Sequence, residues 1–248
     1  MTGRERGGLA DRLGIRVVEH GVVDSTMARA LADAGPAPAL HLAVRQTAGR
    51  GRHGRRWESP AGNLHATLRW PEPGAPFPPA VLAAVQVEWA RAIERLGGPA
   101  VRCKWPNDGW LEGAKWAGLL AVRPADRPGE IHLGLGANLA ASPDEVPEPT
   151  THLARHWSGW PGALVVTEAL LRAALSVLAD GPAGVAARLG SWPRYDALAL
   201  GEDLVVELSR GARRGRYRGL DGEGRLRLET ADGEERLESG EARRVRPA

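Results

Sequence analysis

Apolar positions in the first third of the chain fall in short blocks broken by polar and glycine-rich punctuation. Ile15 to Val18 is apolar and β-branched, which predicts a strand. Asp24-Ser25-Thr26 supplies N-cap chemistry ahead of an Ala- and Leu-bearing stretch ending at Gly35, which predicts a helix. Leu40 to Arg45 and Asn63 to Trp70 read as further strands. Residues 1–12 show neither period and are expected to be a loose polar start, and the Pro-rich stretch from Pro71 to Pro79 an exposed loop. Val81, Leu82, Val85, Trp89, Ile93 and Leu96 recur at helical spacing, so Ala80 to Leu96 is the strongest predicted helix. Three strand-like runs follow, Val101 to Trp105, Lys115 to Arg123 and Ile131 to Leu135, then an acidic Pro-rich loop over Ser142 to Pro149 and a helix over Glu168 to Leu178.

Beyond Trp192-Pro193 the character changes. Leu204 to Leu208, Arg216 to Leu220, Arg225 to Glu229 and Glu234 to Glu238 are short alternating runs, with Asp221-Gly-Glu-Gly and Ala231-Asp-Gly as hairpin punctuation. The pattern predicts an α/β domain over residues 1–193 and a small all-β module over 194–248.

Composition excludes several classes. A 43% apolar and 25% charged chain is globular rather than disordered. No apolar run approaches the ~20 residues of a membrane helix. The start lacks the apolar core of a signal peptide, and the single Cys103 precludes an internal disulfide or a cysteine-based zinc site. A cytoplasmic protein is expected. Of 33 basic residues only two are lysines, Lys104 and Lys115. Arg is a planar fork and Lys a compact point charge, so a chain this rich in Arg keeps Lys where Arg will not serve.

Three constellations carry candidate chemistry. Thr47 to Trp57 alternates Gly49, Gly51 and Gly54 with Arg50, Arg52, Arg55 and Arg56. Glycines bring backbone N–H groups close to a ligand, and arginines offer bidentate hydrogen bonds to phosphate or carboxylate. The arginines repel one another, so the loop is expected to stay open until an anion arrives. A solvated basic loop or an RNA-binding Arg-Gly stretch fits the same residues. Lys104-Trp-Pro-Asn-Asp108 predicts a turn presenting Asn107 and Asp108 between two strands, with Lys115 opening the next; an ordinary hairpin with a surface lysine is the plainer alternative. Leu133-Gly-Leu-Gly-Ala-Asn138 ends a strand in small residues. It is not a dinucleotide fingerprint, and the chain contains no GxxxxGK phosphate loop.

In this order, Asp24-Ser-Thr26, Gly49-Arg-Gly-Arg-His-Gly-Arg-Arg-Trp57, Lys104-Trp-Pro-Asn-Asp108 with Lys115, and Gly134-Leu-Gly-Ala-Asn138 resemble the biotin protein ligase (biotin–[acetyl-CoA-carboxylase] ligase) family. The resemblance implies an α+β fold, with a mixed-sheet, class II synthetase-like catalytic domain and a small C-terminal SH3-like β-barrel. It implies an enzyme that uses ATP and Mg²⁺ to form biotinyl-5′-AMP. Biotin then passes to a lysine of the biotin carboxyl carrier protein or domain of acetyl-CoA carboxylase or a related carboxylase. By resemblance Lys115, Arg52 and Arg50 are catalytic, with Lys115 touching both the biotin carboxylate and the α-phosphate. Ser25, Thr26, Met27, Gln46, Gly49, Arg50, Gly51, Arg52 and Lys115 line the biotin site. Arg52, Arg55, Trp57, Asn107, Lys115 and Asn138 line the nucleotide site, with Trp57 stacking on adenine and Arg56 nearby, and Asp108 contributes to Mg²⁺. Met27 stands where the family commonly has Asn. Only 24 residues precede Ser25, too few for the helix-turn-helix domain of the regulatory members, so no DNA-binding role is expected. Neither a membrane partner nor a state beyond monomer or homodimer is expected. Competing readings are a lipoate or octanoate ligase, an Arg-loop RNA-binding module, and a homologue that binds biotin without catalysis.

Overall fold

The computed structural model describes residues 3–71, 78–143 and 146–245. Seven strands build the main sheet: β1 (Arg16–Val23), β2 (Ala39–Gln46), β3 (Leu64–Pro71), β4 (Arg102–Lys104), β5 (Asp108–Leu111), β6 (Ala114–Val122) and β7 (Glu130–Ala137). Their order is β1-β2-β3-β7-β6-β5-β4. β1 and β2 run parallel and every other pair antiparallel, so the sheet is mixed, as expected.

Strand periodicity divides the sheet into two unlike faces. Leu64, Ala66 and Leu68 of β3 and Leu133, Leu135 and Ala137 of β7 join the hydrophobic core. That core is completed by the helices α3 (Pro78–Arg95) and α4 (Ala163–Ala179). The intervening residues form the other face: His65 opposes Gly136, Thr67 opposes Gly134, and Gly136 opposes Gly118. The short helix α2 (Thr26–Ala32) packs against β2, β3 and β7 on this small, polar surface.

The end of α2 remote from Ser25 is pinned by a buried guanidinium. Arg69, only 2% exposed, ion-pairs with Asp33 at 2.8 Å and Glu130 at 3.0 Å. It also donates to the carbonyls of Asp33 and Gly35, capping chain that leaves the helix. Opposite charges satisfied on both sides make such a buried cation tolerable.

Three helices depart from expectation. The supposed loose start contains a helix, α1 (Gly3–Leu13), anchored by the fully buried Leu9 and the Arg12–Glu168 ion pair at 2.7 Å. One apolar anchor leaves no periodicity for sequence reading to find. Two further short helices, α5 (Gly181–Leu189) and α6 (Trp192–Tyr195), extend the helical layer after α4. Parts of the two Pro-rich stretches, residues 72–77 and 144–145, lie outside the described residues. Cys103 is fully buried, and burial pushes its thiol pKa well up, which fits an inert packing role. No helix among the described residues is long and apolar enough to cross a membrane.

The C-terminal strands β8 (Asp203–Glu207), β9 (Ala212–Leu220), β10 (Leu226–Thr230), β11 (Gly233–Leu237) and β12 (Glu241–Arg244) form a second, antiparallel sheet in the order β11-β10-β9-β8-β12. β12 was not anticipated. Where an SH3-like barrel was expected the structure has this second antiparallel sheet of five strands, with no pairing between β11 and β12 among the described residues. The sheet is sewn to the first by polar contacts beneath tryptophans. Trp192 Nε1 donates to Asp196 Oδ2 at 2.8 Å, as does the Tyr217 hydroxyl at 2.5 Å, and Trp105 Nε1 donates to the Gly224 carbonyl at 3.1 Å. Tyr195, buried beside Trp192, donates to Glu94 of α3. Gly224 has φ +74°, and a Cβ there would lie 2.6 Å from the Ala80 backbone nitrogen. Gly224→Ala should therefore destabilise the protein by about 2–4 kcal/mol in urea unfolding, through a left-handed backbone and an overlap that backbone cannot relieve.

Candidate active site

The glycine face of the main sheet is the floor of the site. A Cβ at Gly136 would stand 2.7 Å from the Trp57 indole and one at Gly118 would stand 3.1 Å from it, so the ring lies directly on backbone. Met27 covers Gly134 in the same way, its methyl 3.3 Å from the position a Cβ would take. Trp57 is held by a hydrogen bond from Nε1 to His65 Nδ1 at 3.4 Å, while His65 Nε2 faces the Pro60 carbonyl at 3.0 Å. Burial lowers the His65 pKa, which keeps the ring neutral and leaves Nδ1 free to accept.

One wall is polar and uncharged. Ser25 occupies the N-cap position of α2, but its hydroxyl makes no cap bond, is buried and has no partner. Gln46 takes over the capping: its Oε1 accepts from Thr26 N at 2.8 Å and Thr26 Oγ1 at 3.1 Å, while its Nε2 donates to Ser59 at 3.2 Å. Thr67 Oγ1 donates to Thr26 Oγ1 at 3.0 Å. A Cβ on the buried Gly49 would meet the Trp57 carbonyl at 2.5 Å and Gln46 Nε2 at 3.0 Å. An orphan buried hydroxyl among satisfied neighbours is the mark of a position that awaits a polar ligand group.

The opposite end is charged. The Lys104–Asp108 turn contains a cis Trp105-Pro106 bond and links β4 to β5. Asn107 Nδ2 donates to the Leu119 carbonyl at 2.7 Å, and its Oδ1 accepts from Arg52 Nη1 at 3.2 Å. Lys115 Nζ lies 2.8 Å from Asp108 Oδ1, 3.9 Å from Glu148 and 5.9 Å from the Trp57 ring centroid. A register shift in the β5–β6 pairing at Trp110 makes Trp116 an unpaired bulge residue. The bulge places the Lys115 side chain on the same face as Gly118, 3.3 Å from where a Cβ would stand. Burial raises the Asp108 pKa, the adjacent Lys115 ammonium opposes that rise, and the Glu148 carboxylate adds to it.

The Gly-Arg loop closes on itself, with Trp57 N bonded to the Gly49 carbonyl at 2.9 Å and Gly51 N to the Arg55 carbonyl at 2.7 Å. Its arginines are not held apart by mutual repulsion alone. Arg55 ion-pairs with Glu241, Arg56 with Glu58 at 2.9 Å, and Arg52 donates to the Gly240 carbonyl at 3.2 Å. Arg50 is exposed beside Arg56. Together with Thr47, Ala48 and Gly54 the loop borders an open cleft of about 480 Å³.

Most predicted residues thus converge: Ser25, Thr26, Met27, Gln46 and Gly49 on the polar wall, Arg52, Asn107, Asp108 and Lys115 at the charged end, and Trp57 between them. Gly51 and Arg55 belong to the loop above. Asn138 is set apart: it is buried, and its Oδ1 faces Asn63 Nδ2 at 3.5 Å while its carbonyl accepts from Leu153 N. Three participants escaped the sequence: Glu148, in an acidic loop read only as a connector, and Gly240 with Glu241, nearly two hundred positions from the arginines they touch. Among the described residues no group of three His, Cys, Asp or Glu side chains is arranged to hold a metal ion. Gly136→Ala should expel the indole from its floor and free the loop. Trypsin cleavage at Arg50 to Arg56 should then accelerate several-fold over the unsubstituted protein, and an unchanged rate would separate the loop from the floor.

Residues 22–137 match the Biotin/lipoate A/B protein ligase family. The chain is 35% identical over 237 residues to a biotin–[acetyl-CoA-carboxylase] ligase of Paracoccus denitrificans, an alignment covering 88% of this chain and 96% of the relative. It is 30% identical over 243 residues to the bifunctional ligase/repressor BirA of Bacillus subtilis, with 92% and 74% covered. Among solved structures, the biotin protein ligase of Aquifex aeolicus in complex with biotin and ATP shares the fold, with a TM-score of 0.75 at 23% identity over 93% of this chain and 99% of that one. The α+β architecture, the convergent motifs and these relatives lead to one conclusion: the chain belongs to the biotin protein ligase family.

Proposed function

We propose that this enzyme joins biotin to ATP, releasing pyrophosphate, and then transfers biotin from biotinyl-5′-AMP to a lysine of a biotin carboxyl carrier protein. The observation that carries the reading is the position of Lys115. Its ammonium lies at the charged end of the site beside Asp108, 5.9 Å from the Trp57 ring centroid that separates this end from the uncharged polar wall. The unpartnered Ser25 hydroxyl, with Thr26 and Gln46, suits a neutral ureido ring. Arg52, Asn107 and the loop suit phosphate. A ligand spanning both would bring its carboxylate to Lys115.

In the first step a biotin carboxylate oxygen forms a bond to the α-phosphorus as the bond to the pyrophosphate oxygen breaks. Two anions meet, and fixed cations lower the cost of the meeting. Lys115 supplies a compact charge with rotatable donors, able to face both oxygens. Arg52 and Arg50 add charge at the adenylate, and Trp57 offers a flat surface for adenine. In the second step the acceptor amine attacks the acyl carbon and AMP leaves with the electron pair. The Gly-Arg loop shields the anhydride from water between the steps. Asp108 is the residue that would contribute to holding a Mg²⁺ bound with ATP, where the ion would offset phosphate charge. The second sheet is read as SH3-like, and the enzyme as cytoplasmic.

The rival ligase reading, for lipoate, leaves the polar wall without a partner, since a dithiolane tail has no ureido group. The RNA reading is weakened by ion pairs on three arginines of β9: Arg213 with Glu235 at 3.0 Å, Arg218 with Glu229 and Arg216 with Asp203 at 3.5 Å.

Pyrophosphate release from ATP should depend on biotin and not be supported by lipoate. Lys115→Arg should lower its rate about 100-fold or more, the scale of a lost transition-state donor, because the planar guanidinium keeps the charge but not its compact placement; full activity would remove Lys115 from the bridging role. Both lysines are drawn into the site, and the chain has no others. Incubation with biotin and ATP should therefore leave almost no biotinylated lysine in the enzyme by mass spectrometry.

A further inference from the structure

The two lysines of this chain share one carboxylate. Glu148 lies 3.5 Å from Lys104 and 3.9 Å from Lys115. Its place is set by backbone: Lys115 N donates to the Pro149 carbonyl at 2.9 Å and Thr151 N to the Lys115 carbonyl at 3.0 Å, a short parallel bridge that lays the Glu148 segment along β6. Lys104 is fixed in turn, its ammonium 4.1 Å from the Trp110 ring centroid. Asp108, at 2.8 Å, is the other anion on Lys115.

Lys115 is therefore flanked by two carboxylates in the very region where the proposed reaction brings a carboxylate and a phosphate. Four anions around one ammonium are mutually repulsive, so one of the protein's own must withdraw. Asp108 is the poorer candidate: it is fixed where the turn enters β5, is only 15% exposed, and among the described residues its short ion pair, at 2.8 Å, is with Lys115 itself. Glu148 is 30% exposed and already touches Lys104. It can leave Lys115 without becoming an unpaired charge.

Resting on the biotin ligase reading, we propose that Glu148 is a movable counter-ion: it screens Lys115 in the free enzyme and is parked on Lys104 when substrate anions bind. Lys104 is then a positioning residue whose task is to hold the displaced carboxylate. This also gives the second lysine a reason to exist in a chain that otherwise uses arginine.

The proposal predicts effects of opposite sign from the two partners of one ion pair. Glu148→Gln removes the competing anion and should lower KM for biotin and ATP by about two- to five-fold, the scale of a partly exposed ion pair. Lys104→Gln removes the parking place and should raise both by a similar factor. The double variant should behave like Glu148→Gln, because a cation with no carboxylate to hold has no further effect, and Glu148→Asp should stay near the unsubstituted enzyme. A merely structural pair would shift both single variants in the same direction, and that result, or additivity in the double variant, overturns the proposal. The same assay separates this from the underlying reading: absence of saturable biotin-dependent pyrophosphate release in the unsubstituted enzyme removes both, whereas normal release with same-sign variants removes only the counter-ion role.

Discussion

A row of missing side chains along the front of β6 and β7 is the constraint on which the rest of the site is built. With Gly118, Gly134 and Gly136 facing forward, an indole and a thioether settle directly onto strand backbone, and the space beside them is left for a ligand. The same strands turn leucines backward into the core. One stretch of chain, Ile131 to Ala137, thus builds the hydrophobic centre and clears the active-site floor through nothing more than the two-residue period of a β-strand. Any shift of register by one residue would exchange the two faces and destroy both.

On this floor the polar features are arranged by charge. The wall built from Ser25, Thr26, Gln46 and Thr67 is neutral and almost completely hydrogen-bonded. The far end gathers Arg52, Lys104 and Lys115 against Asp108, Glu148 and the carboxamide of Asn107. A ligand with an uncharged head and a charged tail can lie in only one direction across such a gradient. The buried Arg69 network, although remote, serves the same end by fixing the far end of α2, whose near end carries Ser25 and Thr26.

Much of this was legible from the amino acids because function had written itself into composition. A loop of alternating Gly and Arg, two lysines in a chain of arginines, and a strand ending in small residues are unusual locally, and their order along the chain pointed to one family. What stayed hidden depends on geometry between distant segments. The bulge at Trp116 cannot be read from a strand pattern, yet without it Lys115 would face the other way from Gly118. Glu148 looked like one more acid in a Pro-rich connector, because only the pairing with Lys115 gives it meaning. The contacts of Gly240 and Glu241 with the loop arginines join segments with no local relation. For the same reason the loop was expected to stand open by repulsion, when Glu241 on Arg55, the Gly240 carbonyl on Arg52 and Glu58 on Arg56 offset much of it. α1 was missed because a single buried leucine carries it.

The Gly240 carbonyl and the Glu241 carboxylate, late in the described chain, have a bearing on biosynthesis. Arg52 and Arg55 emerge early from the ribosome, and the groups that settle them emerge near the end. Until β12 has paired with β8, Arg55 lacks its carboxylate and Arg52 keeps only Asn107, while the loop is held by its own backbone bonds, the Arg56–Glu58 pair and the seat of Trp57 on the glycine floor. The last of the loop's contacts is therefore supplied by the second sheet, from chain made long after the loop itself.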